Sequence, residues 1–143
     1  MNMDLTSAAI ATLISSGIAT SVTLFINRGN NLKNLNDQLD NILKISIQYP
    51  YLENPKFTNT WNENRDSSDE IYLRYDNYCN LVFNYIERIC KYYKYDETKI
   101  QNHINIRSWI RVHKDCWNNP SVPYENSDCY STELKNLINR FLQ

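Results

Sequence analysis

The sequence predicts an all-α protein, with a single N-terminal transmembrane helix followed by a small antiparallel bundle of about four helices. Three observations predict it. Residues Leu5 to Ile26 carry no charged side chain. The 143 residues contain only Gly 2 and Pro 4, too few turn formers for a turn-dense β protein. Through most of the remaining chain, apolar residues recur at three- and four-residue steps, the period of a helix with one buried face.

Length and charge narrow the function classes. The chain has room for one domain and an appendage. Lys+Arg 15 against Asp+Glu 16 gives a formal charge of -1, without the basic excess of a nucleic-acid binder. Nucleic acid is therefore not an expected partner. No cofactor is expected either.

The first element is LTSAAIATLISSGIATSVTLFI, long enough in helical form to cross the hydrocarbon core of a bilayer, which takes about 20 residues. Leu5, Ile10, Leu13, Gly17, Ile18, Val22, Phe25 and Ile26 are expected to form the lipid-contacting span. Its serines and threonines dilute the apolar character, but their hydroxyls can bond to carbonyls of the preceding turn. Met1-Asn2-Met3-Asp4 lacks the basic start of an export signal, so retention as an anchor is favoured over cleavage. The row Ala9, Leu13, Gly17 and Ser21 at four-residue spacing, beside Ala8, Thr12, Ser16 and Thr20, gives a mostly small-residue face on which a second copy could pack.

Arg28 and Lys33 follow the span and no basic residue precedes it, which places the following domain in the cytoplasm at the inner face of a bacterial cell membrane. Residues 1–30 are thus read as a membrane anchor and residues 31–143 as a cytoplasmic helical domain. Cys79, Cys90, Cys116 and Cys129 are then expected to remain thiols.

Beyond the anchor, Asn27 to Asn31 reads as a short break. Leu32, Leu35, Leu39 and Ile42 follow as an amphipathic helix that ends before Pro50. Tyr51 to Arg65 has no sustained period and reads as a loop around Trp61. Ser67 with Glu70 resembles a capping box opening a long helix. Ile71, Tyr75, Cys79, Val82, Phe83, Ile86, Ile89 and Cys90 share one broad face of that helix, with Asp76 and Glu87 on the opposite, solvated side. Asp96 caps the next helix, whose apolar face is Ile106, Trp109, Ile110, His113 and Trp117. Asn118 to Asp128 is a loop, and Ser131 opens a closing helix carrying Leu134, Leu137, Ile138 and Phe141.

Few residue groups point to chemistry. The cysteines are too widely spaced for a zinc site, and neither His103 nor His113 has a paired ligand. With two glycines there is no phosphate-binding loop. His113 and Cys116, three residues apart on a helix, are the one thiol–imidazole pair that could support covalent catalysis. A hydrogen-bonded core histidine is the favoured reading of His113. His103, Arg107, Arg111 and Lys114 line up beside the apolar face as a basic row that could contact an anionic ligand or the negative inner leaflet. A solvated helix edge paired with acids from elsewhere is the favoured, structural reading of the row.

Taken together, the uncharged span, Tyr49-Pro50-Tyr51-Leu52, LVFNYIERI from Leu81, SWIRVHKDCW from Ser108 and YSTELKNLI from Tyr130 resemble a group of short bacterial membrane-anchored proteins classed as domains of unknown function. Asn84, Glu87, Trp109, Trp117 and Tyr130 are the matching positions, although Pro120 here follows the second Trp where that group has Pro before it. The resemblance implies a compact helical unit with an anchor and brings no activity with it. The expected function is therefore a non-enzymatic, membrane-tethered binding or adaptor domain with an unidentified protein partner or anionic ligand. The alternative is an effector of toxin or defence type that oligomerises through its span and acts on the membrane.

Overall fold

The computed structural model describes the backbone of residues 5–122 and 124–143, and the side chains from Thr20 onward apart from those of residues 123 and 127. Every regular element among the described residues is helical. The chain forms two compact units, Met1–Asn34 and Leu35–Gln143, whose boundary falls inside the first helix, α1 (Leu5–Gln48).

Within the first unit the expected break at Asn27–Asn31 does not occur, and α1 continues through it. Gly and Asn each weaken a helix interior by about 1 kcal/mol or less, whereas restarting a helix means forming a new, unfavourable nucleus. Gly29 keeps a helical sign of φ, and a Cβ placed there would meet nothing within 4 Å. Val22, Leu24, Phe25 and Ile26 are 52%, 64%, 80% and 53% exposed. Among the described residues no helix is long and apolar enough to cross a membrane. The side chains of Leu5, Ile10, Leu13, Gly17 and Ile18, and the small-residue face up to Ala19, lie outside the described residues.

The second unit begins with the last part of α1, where Leu35 and Ile42 are buried and Leu39 and Ile45 half-buried. Pro50 ends this helix, since the residue before a proline is pushed away from helical geometry; Tyr49 adopts φ -129 and ψ 75. The stretch expected as a loop is instead three short helical turns. They are a 3₁₀ turn (Pro50–Glu53), α2 (Pro55–Thr58) and α3 (Trp61–Asn64). Two prolines occupy first-turn positions, where their missing N–H costs nothing, and Asn54 caps α2 by accepting from Lys56 N at 3.0 Å. Leu52, Thr58 and Trp61 enter the core from these turns.

The central element is α4 (Glu70–Tyr92), and it buries Tyr75, Tyr78, Cys79, Val82, Phe83, Tyr85, Ile86, Ile89 and Cys90. Its N-cap is Asp69, which accepts from Ile71 N at 2.8 Å, and not the Ser67–Glu70 box. Asp66 takes Ser68 N at 2.8 Å and so closes a turn of its own, while Glu70 pairs with Arg74. The helix ends by reversing through Lys94 and Tyr95, both left-handed at φ 51 and φ 59, and Tyr95 N returns to Cys90 O at 2.8 Å.

The single helix expected from Asp96 to Trp117 is three helices, α5 (Glu97–His103), α6 (Ile106–Val112) and α7 (Lys114–Asn118). Asp96 caps the first as expected, accepting from Lys99 N at 3.2 Å. Extended Ile104 ends it, and Asn105 caps the second by accepting from Ser108 N at 3.2 Å. A five-residue helix α8 (Glu125–Cys129) precedes α9 (Thr132–Leu142), which Ser131 caps from its hydroxyl. Leu134, Leu137, Ile138 and Phe141 of α9 complete the core, with α6 packed on α9 and α7 on both α3 and α4. The bundle is therefore less regular than four long helices, because breaks at Ile104 and His113 let short segments wrap around α4.

Candidate functional site

A largely buried polar group in the second unit joins three parts of the chain that are distant in sequence. Tyr75, Tyr78 and Cys79 lie at three- and four-residue spacing on one face of α4. Glu53 ends the 3₁₀ turn, and His113 sits at the junction of α6 and α7 with φ -100 and ψ 18, so its ring enters at a corner and not from a helix face.

His113 is fully buried. Its Nδ1 lies 3.0 Å from the Tyr75 hydroxyl and 3.8 Å from Cys79 Sγ, and its Nε2 lies 3.4 Å from Glu53 Oε1. Tyr78 donates to the same Glu53 oxygen at 2.5 Å. Burial pushes the Glu53 carboxyl up, but the hydrogen bond and charge of His113, with the Tyr78 hydroxyl, outweigh it and hold the group below the ordinary carboxylate value. Burial pushes the Tyr75 and Tyr78 phenols and the Cys79 thiol up, with Glu53 adding to the rise at both tyrosines and Cys116 to that at Cys79.

In outline, Cys79, His113 and Glu53 have the order of a nucleophile, base and orienting acid. Their environment opposes that chemistry. Cys79 is 1% exposed and its thiolate is disfavoured, and Tyr75 occupies the imidazole nitrogen that would have to take the thiol proton. What the arrangement does is hold one partly buried carboxylate ionised and tie the 3₁₀ turn, α4 and the α6–α7 corner together through it.

The sequence-derived sites fare differently. The His113–Cys116 pair is not the contact that forms: among the described residues, His113 pairs with Tyr75, Cys79 and Glu53, while Cys116 interacts with Cys79. The favoured reading of His113, a hydrogen-bonded core histidine, agrees with this geometry. The basic row does not lie on one helix, because His103 is in α5, Arg107 and Arg111 in α6, and Lys114 in α7. Two of its members are engaged with α9. Arg107 lies over the Phe141 ring at 4.6 Å, and Arg111 Nε donates to Phe141 O at 3.2 Å. His103 Nδ1 lies 3.4 Å from the Tyr93 hydroxyl, and Lys114 is exposed at the start of α7. Nor is Glu87 on a solvated face. Its side chain is 13% exposed, accepts Ser131 N at 2.9 Å and pairs with Lys91 at 3.1 Å, while half-buried Asp76 accepts from Ser121 at 3.0 Å.

The positions behind the resemblance are structural in placement. Trp117 packs between Phe83 at 4.8 Å and Tyr130 at 5.4 Å, ring centre to ring centre, and Trp109 meets Tyr85 edge-on at 6.1 Å. With Glu87 bonded beside Tyr130, these residues fasten α6, α7 and the start of α9 onto α4. Asn84 is exposed.

Glu53 was the residue that sequence reading missed. An acid inside a polar, proline-containing stretch carries no periodic signal, and its partner His113 is 60 residues away. Among the described residues, no group of three or more His, Cys, Asp or Glu is placed to hold a metal ion. Comparison of the chain with family models, with curated proteins and with solved structures finds no match in any of the three.

Proposed function

We propose that this protein is a non-enzymatic helical binding domain tethered by its N-terminal helix to the inner face of a bacterial membrane. The observation that carries the reading is the apolar run ending at Val22, Leu24, Phe25 and Ile26, each more than half exposed, directly before Arg28. Large apolar side chains clustered on an uncharged stretch of helix are stable when lipid or another helix covers them. Arg28 and Lys33 on its C-terminal side favour a cytoplasmic domain. The binding role, as against catalysis, is supported by the burial of the thiol and imidazole of the Cys79–His113–Glu53 group.

The test combines fractionation with thiol labelling. Cys129 is the exposed cysteine and the other three are buried, so a membrane-impermeant maleimide reports the sidedness of the domain at one position. The protein should sediment with membranes and need detergent for release, and Cys129 should stay unlabelled in intact spheroplasts until they are permeabilised. Recovery in the soluble fraction would overturn the tether. Labelling before permeabilisation would overturn the orientation.

A further inference from the structure

The second unit carries a groove of about 490 Å³ between the last part of α1 and α4, away from the buried His113 group. Asp37, Gln38, Asn41 and Ile42 form one wall, and Leu81, Asn84, Tyr85 and Arg88 the other. The spacings place each set on a single helix face. The volume falls in the range of small-molecule sites, about 300–1,000 Å³.

Some of the charged groups elsewhere on the same unit are paired. Arg74 pairs with Glu70, Lys91 with Glu87, Lys99 with Asp96 and Arg140 with Glu97. Among the described residues, Asp37 and Arg88 make neither an ion pair nor a hydrogen bond, and the same holds for the amides of Gln38, Asn41 and Asn84. An acid on one wall and a guanidinium on the other thus flank an apolar strip of buried Ile42, buried Tyr85 and 44% exposed Leu81. Five uncommitted polar groups around apolar side chains are what a ligand site requires: an apolar body gains from burial, while separate polar ends fix its orientation.

We propose that this groove binds a zwitterionic small molecule with an apolar body, of the amino-acid or dipeptide class. Its ammonium lies on Asp37, its carboxylate on the fork of Arg88, and its apolar side chains on Leu81 and Ile42. Arginine matches a carboxylate through two parallel hydrogen bonds, which a single ammonium cannot do. The three amides supply donors and acceptors for a peptide bond between the charged ends. This rests on the binding half of the proposed function and is independent of the tether, which the fractionation test reads separately.

The experiment is isothermal titration of leucyl-leucine into the full chain in detergent micelles, alongside N-acetyl-leucyl-leucine and leucyl-leucine amide. Saturable binding of the free dipeptide is expected, weakened about tenfold or more by blocking either end. Asp37→Asn should bind the free and acetylated forms alike while still discriminating against the amide. Arg88→Met should bind the free and amidated forms alike while still discriminating against the acetylated form. The retained discrimination in each variant shows that the groove is folded. The proposal is overturned by no saturable binding up to about 10 mM, by equal binding of free and blocked dipeptides, or by variants that discriminate as the wild type does.

Discussion

Glu53 Oε1 lies 3.4 Å from His113 Nε2 across 60 residues of sequence, and Tyr78 donates to that same oxygen at 2.5 Å. One carboxylate therefore holds a turn, a helix and a corner together. Glu53→Gln keeps an oxygen for Tyr78 but removes the charge, and should lower unfolding free energy by about 1–2 kcal/mol in urea titrations of the full chain.

The same contact sets a pH dependence. The folded-state pKa of Glu53 lies below its ordinary value of 4.5, so its contribution is fully present above that value and is lost as pH falls through the lower, folded value. Thermal unfolding of the wild type and Glu53→Gln should differ by a constant amount well above the ordinary value of 4.5 and converge as pH falls below it through the lower, folded value. A difference that grew on acidification would show that the carboxylate is not stabilised by its partners.

Tyr75 tests the other side of the imidazole. Tyr75→Phe removes one hydrogen bond and leaves Nδ1 of His113 with Cys79 Sγ at 3.8 Å, a cost of about 1 kcal/mol. His113→Ala removes a fully buried ring and strands Tyr75 and Glu53 together, so it should cost about 3 kcal/mol or more. Urea midpoints in the order wild type, Tyr75→Phe, His113→Ala are expected. Equal midpoints for the two variants would mean that the ring matters only through its hydrogen bond to Tyr75.

The long periodic segments of this fold were legible and the corners were not. The apolar face of α4 and the closing helix α9 follow from three- and four-residue spacing, and Asp96 and Ser131 cap where the sequence places them. The break between α5 and α6 carries no Gly or Pro; it depends on Ile104 turning extended so that Asn105 can cap a new start, which is decided by packing on α4 and α9. The reversal after α4 likewise uses Lys94 and Tyr95 in a left-handed conformation that sequence rules reserve for Gly or Asn. Reading the basic row along one continuous helix places Arg107 and Arg111 on a solvated edge open to an anion, whereas the packing of α6 on α9 brings them to Phe141. Glu53 was invisible for the reason that makes it informative: its partners, Tyr78 and His113, lie 25 and 60 residues further along the chain.

The cysteines separate the core from the surface in one measurement. Cys79, Cys90 and Cys116 are buried and Cys129 is exposed. Burial pushes the Cys79 thiol well above its ordinary value and the Cys90 thiol up to about 12, so their reactive thiolates are scarce as well as inaccessible. Brief alkylation of the native protein followed by mass spectrometry should find modification at Cys129, with the remaining three reacting only after denaturant is added. Modification of Cys79 at the rate of Cys129 would contradict the closed packing around His113.

The start of α4 distinguishes two ways of capping one helix. The pattern Ser67 with Glu70 points to a reciprocal box, but the chain instead places Asp69 at the cap, where its carboxylate accepts Ile71 N at 2.8 Å. A cap oxygen satisfies one of the unpaired N–H groups of the first turn, and a negative charge there also meets the positive end of the helix dipole. Asp69→Ala should therefore cost about 1 kcal/mol, while Ser67→Ala, at an exposed position outside the helix, should change stability by less than about 0.5 kcal/mol. The comparison is best made by hydrogen exchange at the first turn of α4, where Asp69→Ala should speed exchange of the Ile71 amide and Ser67→Ala should leave it unchanged. If Ser67→Ala were the more damaging change, the helix would be opened by the Ser67–Glu70 box after all, and α4 would begin two residues earlier than the geometry around Asp69 requires.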